Sequence, residues 1–137
     1  MKKKIILFLI IASAISTWAQ TIVSPTYSKR DDFSLRIDEI ERNDDYTIIK
    51  GIYKDYFLDG QVWISETTYL KDCKSGRKYR IIRSEGLPLG PEKLDYEKGE
   101  VVQYKFYFPS IEKDVEMVDM IELETEDETF TSSFNFY

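Results

Sequence analysis

The stretch that decides the fold reads KGEVVQYKFYFP at residues 98–109. Gly99 provides a turn before the apolar run, and Pro109 ends the run because proline has no N–H to donate to a neighbouring strand. Between them, every second position is apolar, which is typical of a β-strand that buries one face. The residues that share this face are Val102, Tyr104, Phe106 and Phe108.

Similar short runs lie on both sides of this stretch. Upstream, Phe33, Leu35 and Ile37 alternate with polar residues and predict a strand with one buried face. Residues 46–53 are apolar on both faces and predict a central strand. Downstream, residues 116–124 and 129–137 predict the last two strands.

Turn residues divide these runs. Asp59-Gly60 stands between residues 56–58 and 62–64, and Ser75-Gly76 stands between residues 67–72 and 77–83. Both pairs predict β-hairpins, since Gly and Asp tolerate positive φ angles. Residues 84–99 are the one long connection, and we expect a binding rim there. The pattern predicts an all-β, immunoglobulin-like antiparallel sandwich of about seven or eight strands.

The first residues have the pattern of a secretory signal peptide. Three lysines precede the apolar run 5–11, and the small residue Ala19 precedes Gln20. The run is shorter than the roughly 20 apolar residues that cross a bilayer. We therefore expect a signal peptide at 1–19, an irregular leader at 20–32 and a single domain at 33–137. The mature chain would be periplasmic or extracellular and would not span a membrane, whereas the alternative is a buried N-terminal helix.

Charge and cysteine content narrow the classes of partner. The net charge is −6, and removal of residues 1–19, which carry three lysines and no acid, would make it −9. Such an acidic chain is not expected to bind nucleic acid. Cys73 is the only cysteine, so it is either an unused thiol or a partner in an intermolecular disulfide.

The sequence has no set of residues typical of an enzyme site. It contains no His, which excludes Ser-His-Asp hydrolysis and His-based metal sites, and its six glycines form no phosphate-binding loop. We expect no catalytic residue, no metal site and no cofactor. The acids of residues 112–128 are interpreted as a solvated edge. The alternatives are a cation site at Glu126-Asp127-Glu128 or a pair of carboxylates that cleaves glycosidic bonds.

Basic residues are concentrated on the hairpin predicted around Ser75-Gly76. Arg77 and Arg83 are expected on one face of the strand, with Lys78 and Arg80 on the other. The candidate patch would dock an anionic glycan or an acidic protein. The alternative is that these residues pair with the protein's own acids and protect a sheet edge. The six members are Lys71, Lys74, Arg77, Lys78, Arg80 and Arg83.

Four aromatic residues around Asp59-Gly60 form a second candidate site. An exposed aromatic platform would stack on sugar rings, whereas buried aromatics would fill the core of the sandwich. Core packing is the favoured interpretation, with Trp63 as its main member. The four residues are Tyr56, Phe57, Trp63 and Tyr69.

Several short motifs resemble a small, uncharacterised β-sandwich domain of exported Bacteroidetes-type proteins. The resemblance covers residues 33–124 and departs from the pattern at Pro91-Glu92-Lys93-Leu94. It implies an immunoglobulin-like sandwich with an accessory role and brings no catalytic residue. The motifs are Trp63-Ile64-Ser65, Thr68-Tyr69-Leu70, Lys78-Tyr79 and Glu85-Gly86-Leu87-Pro88-Leu89.

These observations favour a non-catalytic exported domain that engages a protein or glycan of the cell envelope. A small carboxylate-dependent, glycan-active hydrolase and a structural or inhibitory domain remain the alternatives. The hydrolase would need a concave pocket with two facing carboxylates, roughly 5–10 Å apart. The binding domain would need an exposed aromatic or charged patch.

Overall fold

A computed structural model describes residues 18–30, 34–124 and 129–136 of the chain. Within these ranges the protein is all-β, with two five-stranded sheets and one two-stranded ladder. The prediction of an all-β antiparallel sandwich is confirmed. The described ranges contain twelve strands, more than predicted, because several three-residue strands and two N-terminal strands add to the long ones.

The strands are numbered in chain order. In spatial order the first sheet contains β1 (Ala19–Val23), β3 (Leu35–Asn43), β4 (Tyr46–Tyr53), β10 (Val102–Pro109) and β8 (Arg83–Glu85). The second contains β2 (Tyr27–Arg30), β12 (Thr129–Asn135), β11 (Met117–Glu124), β6 (Tyr69–Asp72) and β7 (Lys78–Arg80). The ladder pairs β5 (Gly60–Val62) with β9 (Leu94–Tyr96).

The strand order is that of an immunoglobulin-like sandwich. β3, β4, β10 and β8 follow the order A-B-E-D of that fold, and β6, β11 and β12 supply strands C, F and G. β7 extends the second sheet in the place of strand C′. β1 and β2 are additional edges that the N-terminal segment adds to the two sheets.

The core lies between the two sheets. Ile49, Phe106 and Phe108 of the first sheet and Leu70 and Met120 of the second are all 0% exposed. Burying each such side chain contributes about 1.5–3 kcal/mol to folding. The apolar face of β10 that the sequence predicts is therefore the centre of the core.

A β-bulge in β3 changes which of its residues face the core. The register with β4 shifts between Ile37 and Glu39. Ile40 and Arg42 consequently face inward in the second half of the strand, at 0% and 2% exposure. Strict alternation from Ile37 would instead place Glu39 and Glu41 inside.

The irregular leader predicted at 20–32 is wrong. β1 pairs with β3 in the first sheet and β2 pairs with β12 in the second. Ser24, at φ 50°, and the buried Pro25 stand between them, where the chain passes from one sheet to the other. The short, polar strand β2 carries little of the apolar alternation that identifies strands in sequence. Most of the predicted signal peptide, residues 1–17, lies outside the described residues.

The hairpin predicted at Asp59-Gly60 is also wrong. Gly60 begins β5, whose partner is β9, and residues 56–58 form a loop. The segment 84–99, which the sequence predicts to be one long connection, contains β9 and the last two residues of β8. The hairpin predicted at Ser75-Gly76 is confirmed, with β6 paired to β7 and Gly76 at φ 76°.

Candidate functional site

An exposed apolar loop connects β4 to β5 at one end of the sandwich. We call residues 54–59 the apical loop. Its three consecutive large side chains, Tyr56, Phe57 and Leu58, are 59%, 82% and 67% exposed. Continuous exposed apolar surface is uncommon in folded proteins and often marks an interaction site.

Hydrogen bonds to Asp55 fix the backbone of the apical loop. Its Oδ1 accepts the N–H groups of Phe57 at 2.9 Å and of Leu58 at 3.1 Å. Its Oδ2 accepts the Tyr96 hydroxyl at 3.3 Å. These bonds, with that from Phe57 the largest contribution, lower the pKa of Asp55 below its ordinary value. Asp55 therefore holds the loop as a carboxylate.

The neighbouring turn that precedes β10 holds the same loop from the other side. The N–H of Gly99 donates to the Asp55 carbonyl at 2.7 Å, and the N–H of Lys98 donates to the Asp59 carboxylate at 2.6 Å. The Lys54 ammonium lies 4.6 Å from the centre of the Tyr56 ring. The exposed side chains thus stand on a backbone that is bonded at both ends.

Trp63 lies at the surface and not in the core, which corrects the sequence prediction. It directly follows β5. Its neighbours in sequence, Val62 and Ile64, point inward at 8% and 6% exposure, so Trp63 points outward and is 47% exposed. The Lys93 ammonium lies 4.7 Å from its ring. A Cβ on Gly90 would lie 3.1 Å from the ring atom Cδ1, so the backbone at Gly90 supports one edge of the indole.

The four predicted aromatic residues do not form one platform. Tyr56 and Phe57 lie on the apical loop and Trp63 lies beside the β5–β9 ladder. Tyr69 is on β6 of the second sheet, where the Lys78 ammonium is 4.8 Å from its ring. The structure therefore divides the predicted platform among three surfaces.

The predicted basic patch is also divided. Lys71, Lys78 and Arg80 lie on the outer face of the second sheet, since Leu70 and Tyr79 between them are buried. Lys74 is exposed in the turn between β6 and β7. That turn is at the opposite end of the sandwich from the apical loop.

Arg77 and Arg83 do not share a face, contrary to the prediction. The Arg77 guanidinium pairs with Glu112 at 3.2 Å. Arg83 is on β8 of the other sheet, paired with Glu85 at 2.8 Å and 3.7 Å from the Tyr107 ring. The chain crosses from one sheet to the other between Arg80 and Arg83, which sequence alternation does not reveal.

The acidic segment does not converge on one site within the described residues. Asp119 accepts the hydroxyl of Ser133 at 2.5 Å, and Glu122 is 8% exposed. No group of three or more metal-ligating side chains occurs in the part of the chain that the structure describes. The predicted cation site at residues 126–128 lies outside that part.

The lone cysteine lies next to Asp119. The Cys73 thiol donates to the Asp119 carboxylate at 3.4 Å. Partial burial, that hydrogen bond and the negative charge of Asp119 raise the pKa of Cys73 to about 11. The thiol is therefore protonated at neutral pH and is a weak nucleophile.

Arg42 is a buried charge that sequence reasoning missed. Its guanidinium donates to the Gln20 side chain at 3.1 Å and to the Glu112 carbonyl at 2.7 Å. It lies 5.2 Å from the Trp18 ring centre and 4.6 Å from that of Phe136. Burial lowers its pKa. These contacts join β3 to both ends of the described chain and indicate a structural role.

Comparison of the chain with family models, curated proteins and solved structures found no match. The resemblance to an exported accessory domain therefore stays a prediction. In the described ranges, no helix is long and apolar enough to cross a membrane.

Proposed function

We propose that the chain is a non-catalytic exported domain that binds a protein or glycan of the cell envelope through the apical loop. The observation that carries this proposal is the exposure of Tyr56, Phe57 and Leu58 on a backbone fixed by hydrogen bonds. Export is supported by the N-terminal sequence pattern.

The chemistry of the apical loop suits a binding surface. Aromatic residues are enriched at protein interfaces, and a few buried aromatic anchors supply most of the binding energy. Each of the three side chains, if a partner buries it fully, would contribute about 1.5–3 kcal/mol to the binding free energy before the costs of association. This is sufficient for a specific contact of moderate affinity.

The fixed backbone makes this energy available for binding. A mobile loop loses conformational freedom when it binds, at about 1–2 kcal/mol for each residue whose backbone becomes ordered. Asp55 and the Lys98–Gly99 turn already order the apical loop in the free protein. Preorganisation of this kind raises affinity without new contacts.

The test compares partner recovery by variants with one surface changed. The tagged full-length protein is recovered from the envelope fraction of its native cells, as wild type, as Phe57→Ser/Leu58→Ser, and as the control Val23→Ser. Val23 is 71% exposed on β1, so its variant removes exposed apolar surface of another part of the protein. We expect the double variant to lose the partner and the control to keep it. Equal recovery by all three would refute the proposal.

A further inference from the structure

We infer that the outer face of the β5–β9 ladder is a carbohydrate site that takes a neutral hexopyranose unit. We call this surface the ladder face and define it by Gln61, Trp63, Lys93 and Asp95. It adds a second contact surface to the proposed binding function and is tested separately from the apical loop.

The register of the ladder places these four side chains together. Gln61 pairs with Asp95 and Val62 pairs with Leu94. Trp63 directly follows β5 and Lys93 directly precedes β9, and the Lys93 ammonium lies 4.7 Å from the Trp63 ring centre. Because alternate residues of a strand share a face, Gln61 and Trp63 point to the same side, roughly 7 Å apart along the strand. This spacing is close to the width of one sugar ring.

Trp63 provides a flat apolar surface for the sugar. Its indole is 47% exposed while the backbone at Gly90 supports one edge. The C–H bonds on one face of a pyranose carry partial positive charge and pack against the negative face of an aromatic ring. The Lys93 ammonium lies over the ring, 4.7 Å from its centre, so a bound sugar takes the place of this flexible side chain on the ring face.

Gln61 and Asp95 provide hydrogen bonds beside the ring. The Gln61 amide donates one N–H to the Asp95 carboxylate at 2.8 Å. A side-chain amide has a second N–H and a carbonyl oxygen, and a carboxylate has several acceptor positions. The pair therefore offers both donors and acceptors in fixed positions, which is what neighbouring sugar hydroxyls require.

The local charge favours a neutral sugar. Glu92 and Glu97 flank the ladder in sequence, Asp95 lies on the face itself, and the whole chain has a net charge of −6. These carboxylates would repel an acidic sugar, and the ladder face has one cation, Lys93, to attract it. The hydroxyl groups of a neutral sugar are uncharged and meet no such repulsion.

The experiment is affinity electrophoresis of the full-length protein in native gels. The gels contain a soluble β-glucan, a galactomannan or, as the acidic counterpart, pectate. The variants Trp63→Ala and Gln61→Ala keep the net charge, and so do the controls Ile82→Ala and Val23→Ser, which change exposed apolar residues outside both proposed surfaces. Migration without polysaccharide is therefore the same for every protein.

We expect at least one neutral polysaccharide to retard the wild type. Trp63→Ala should weaken binding by about tenfold or more and Gln61→Ala by several-fold, with both controls unchanged. Retardation by pectate alone, by no polysaccharide, or equally for wild type and Trp63→Ala would overturn the inference.

Thermal melts separate binding from a purely structural role of Trp63. The ladder has only three residue pairs, and the contact of the Lys93 ammonium with the Trp63 ring lies at its end, so loss of that contact is expected to reduce stability. If Trp63→Ala does not fold, the single variants Trp63→Phe and Gln61→Ala are used in its place. Phe retains an aromatic face, so Trp63→Phe is the milder change at this position. Loss of stability with unchanged retardation would overturn the inference as well.

Discussion

The Asp55 carboxylate accepts the backbone N–H of Phe57 at 2.9 Å and so fixes the backbone that carries the most exposed large apolar side chain among the described residues. Asp55→Ala should speed amide hydrogen exchange at Phe57 and Leu58 and weaken partner recovery. Asp55→Asn, which keeps an acceptor oxygen, should retain most of the protection. Equal exchange in wild type and Asp55→Ala would show that the loop is held by other contacts.

The same bond predicts a pH dependence. Because hydrogen bonding lowers the pKa of Asp55 below its ordinary 3.8, the fold favours the ionised form. The amides of Phe57 and Leu58 should be better protected from hydrogen exchange in wild type than in Asp55→Ala. This difference should be complete above about pH 4 and should disappear as the pH falls through the lowered pKa of Asp55. Two-dimensional NMR measures the exchange at each pH. A difference that stays unchanged down to about pH 2 would contradict the role assigned to the Asp55 carboxylate.

Two glycines of positive φ should respond differently to alanine. At Gly76, φ 76°, an added Cβ would meet no atom within 4 Å, so Gly76→Ala should cost only the conformational strain, about 1–2 kcal/mol. At Gly86, φ 85°, the Cβ would lie 1.9 Å from the Gln103 carbonyl oxygen, and the loss should be much larger. Urea denaturation measures both. If both variants lose a similar amount of unfolding free energy, the backbone between β8 and β10 must shift to make room for the added Cβ at Gly86.

Arg42 should stabilise the fold by packing more than by charge. Its Nε has no hydrogen-bond partner among the described residues, and the side chain is 2% exposed. Arg42→Ala should cost about 2–5 kcal/mol because it leaves a cavity, whereas Arg42→Met, which fills much of the space, should cost less. Chemical denaturation of both variants is the measurement. A larger loss for Arg42→Met would show that the hydrogen bonds to Gln20 and Glu112 dominate.

The strands with strong local signals were predictable from sequence. Residues 102–106 alternate between apolar and polar and lie in β10, and the apolar run 46–53 forms the central strand β4. The Ser75-Gly76 turn was also predictable. A tight turn between two strands needs a residue with positive φ, and Gly76 provides it within the turn itself. The chain order of these strands was sufficient for the fold class.

The misplaced elements depend on contacts that are distant in sequence. Trp63 points outward because β5 pairs with β9, more than thirty residues away, and not with residues 56–58. The apolar character of Tyr56, Phe57 and Leu58 predicts burial, so their exposure follows only from the tertiary structure. Arg83 leaves the basic patch because the chain crosses between sheets after Arg80.

Cys73 should react slowly with alkylating reagents. Its pKa of about 11 means that little thiolate is present at pH 8. We expect iodoacetamide to react about 10–100-fold more slowly than with an unstructured cysteine peptide. Asp119→Asn should speed the reaction because it removes the neighbouring negative charge. Mass spectrometry of timed samples measures both rates, and a rate equal to that of the peptide would contradict the assignment.

The most direct test of the central claim is site-specific photo-crosslinking in the native cells. A photoreactive amino acid replaces Phe57 in one full-length variant and Val23, exposed on β1, in a matched variant. If the apical loop is the binding surface, illumination should give one discrete adduct from position 57 and none from position 23. No adduct from position 57, or the same adduct from both positions, would contradict the account.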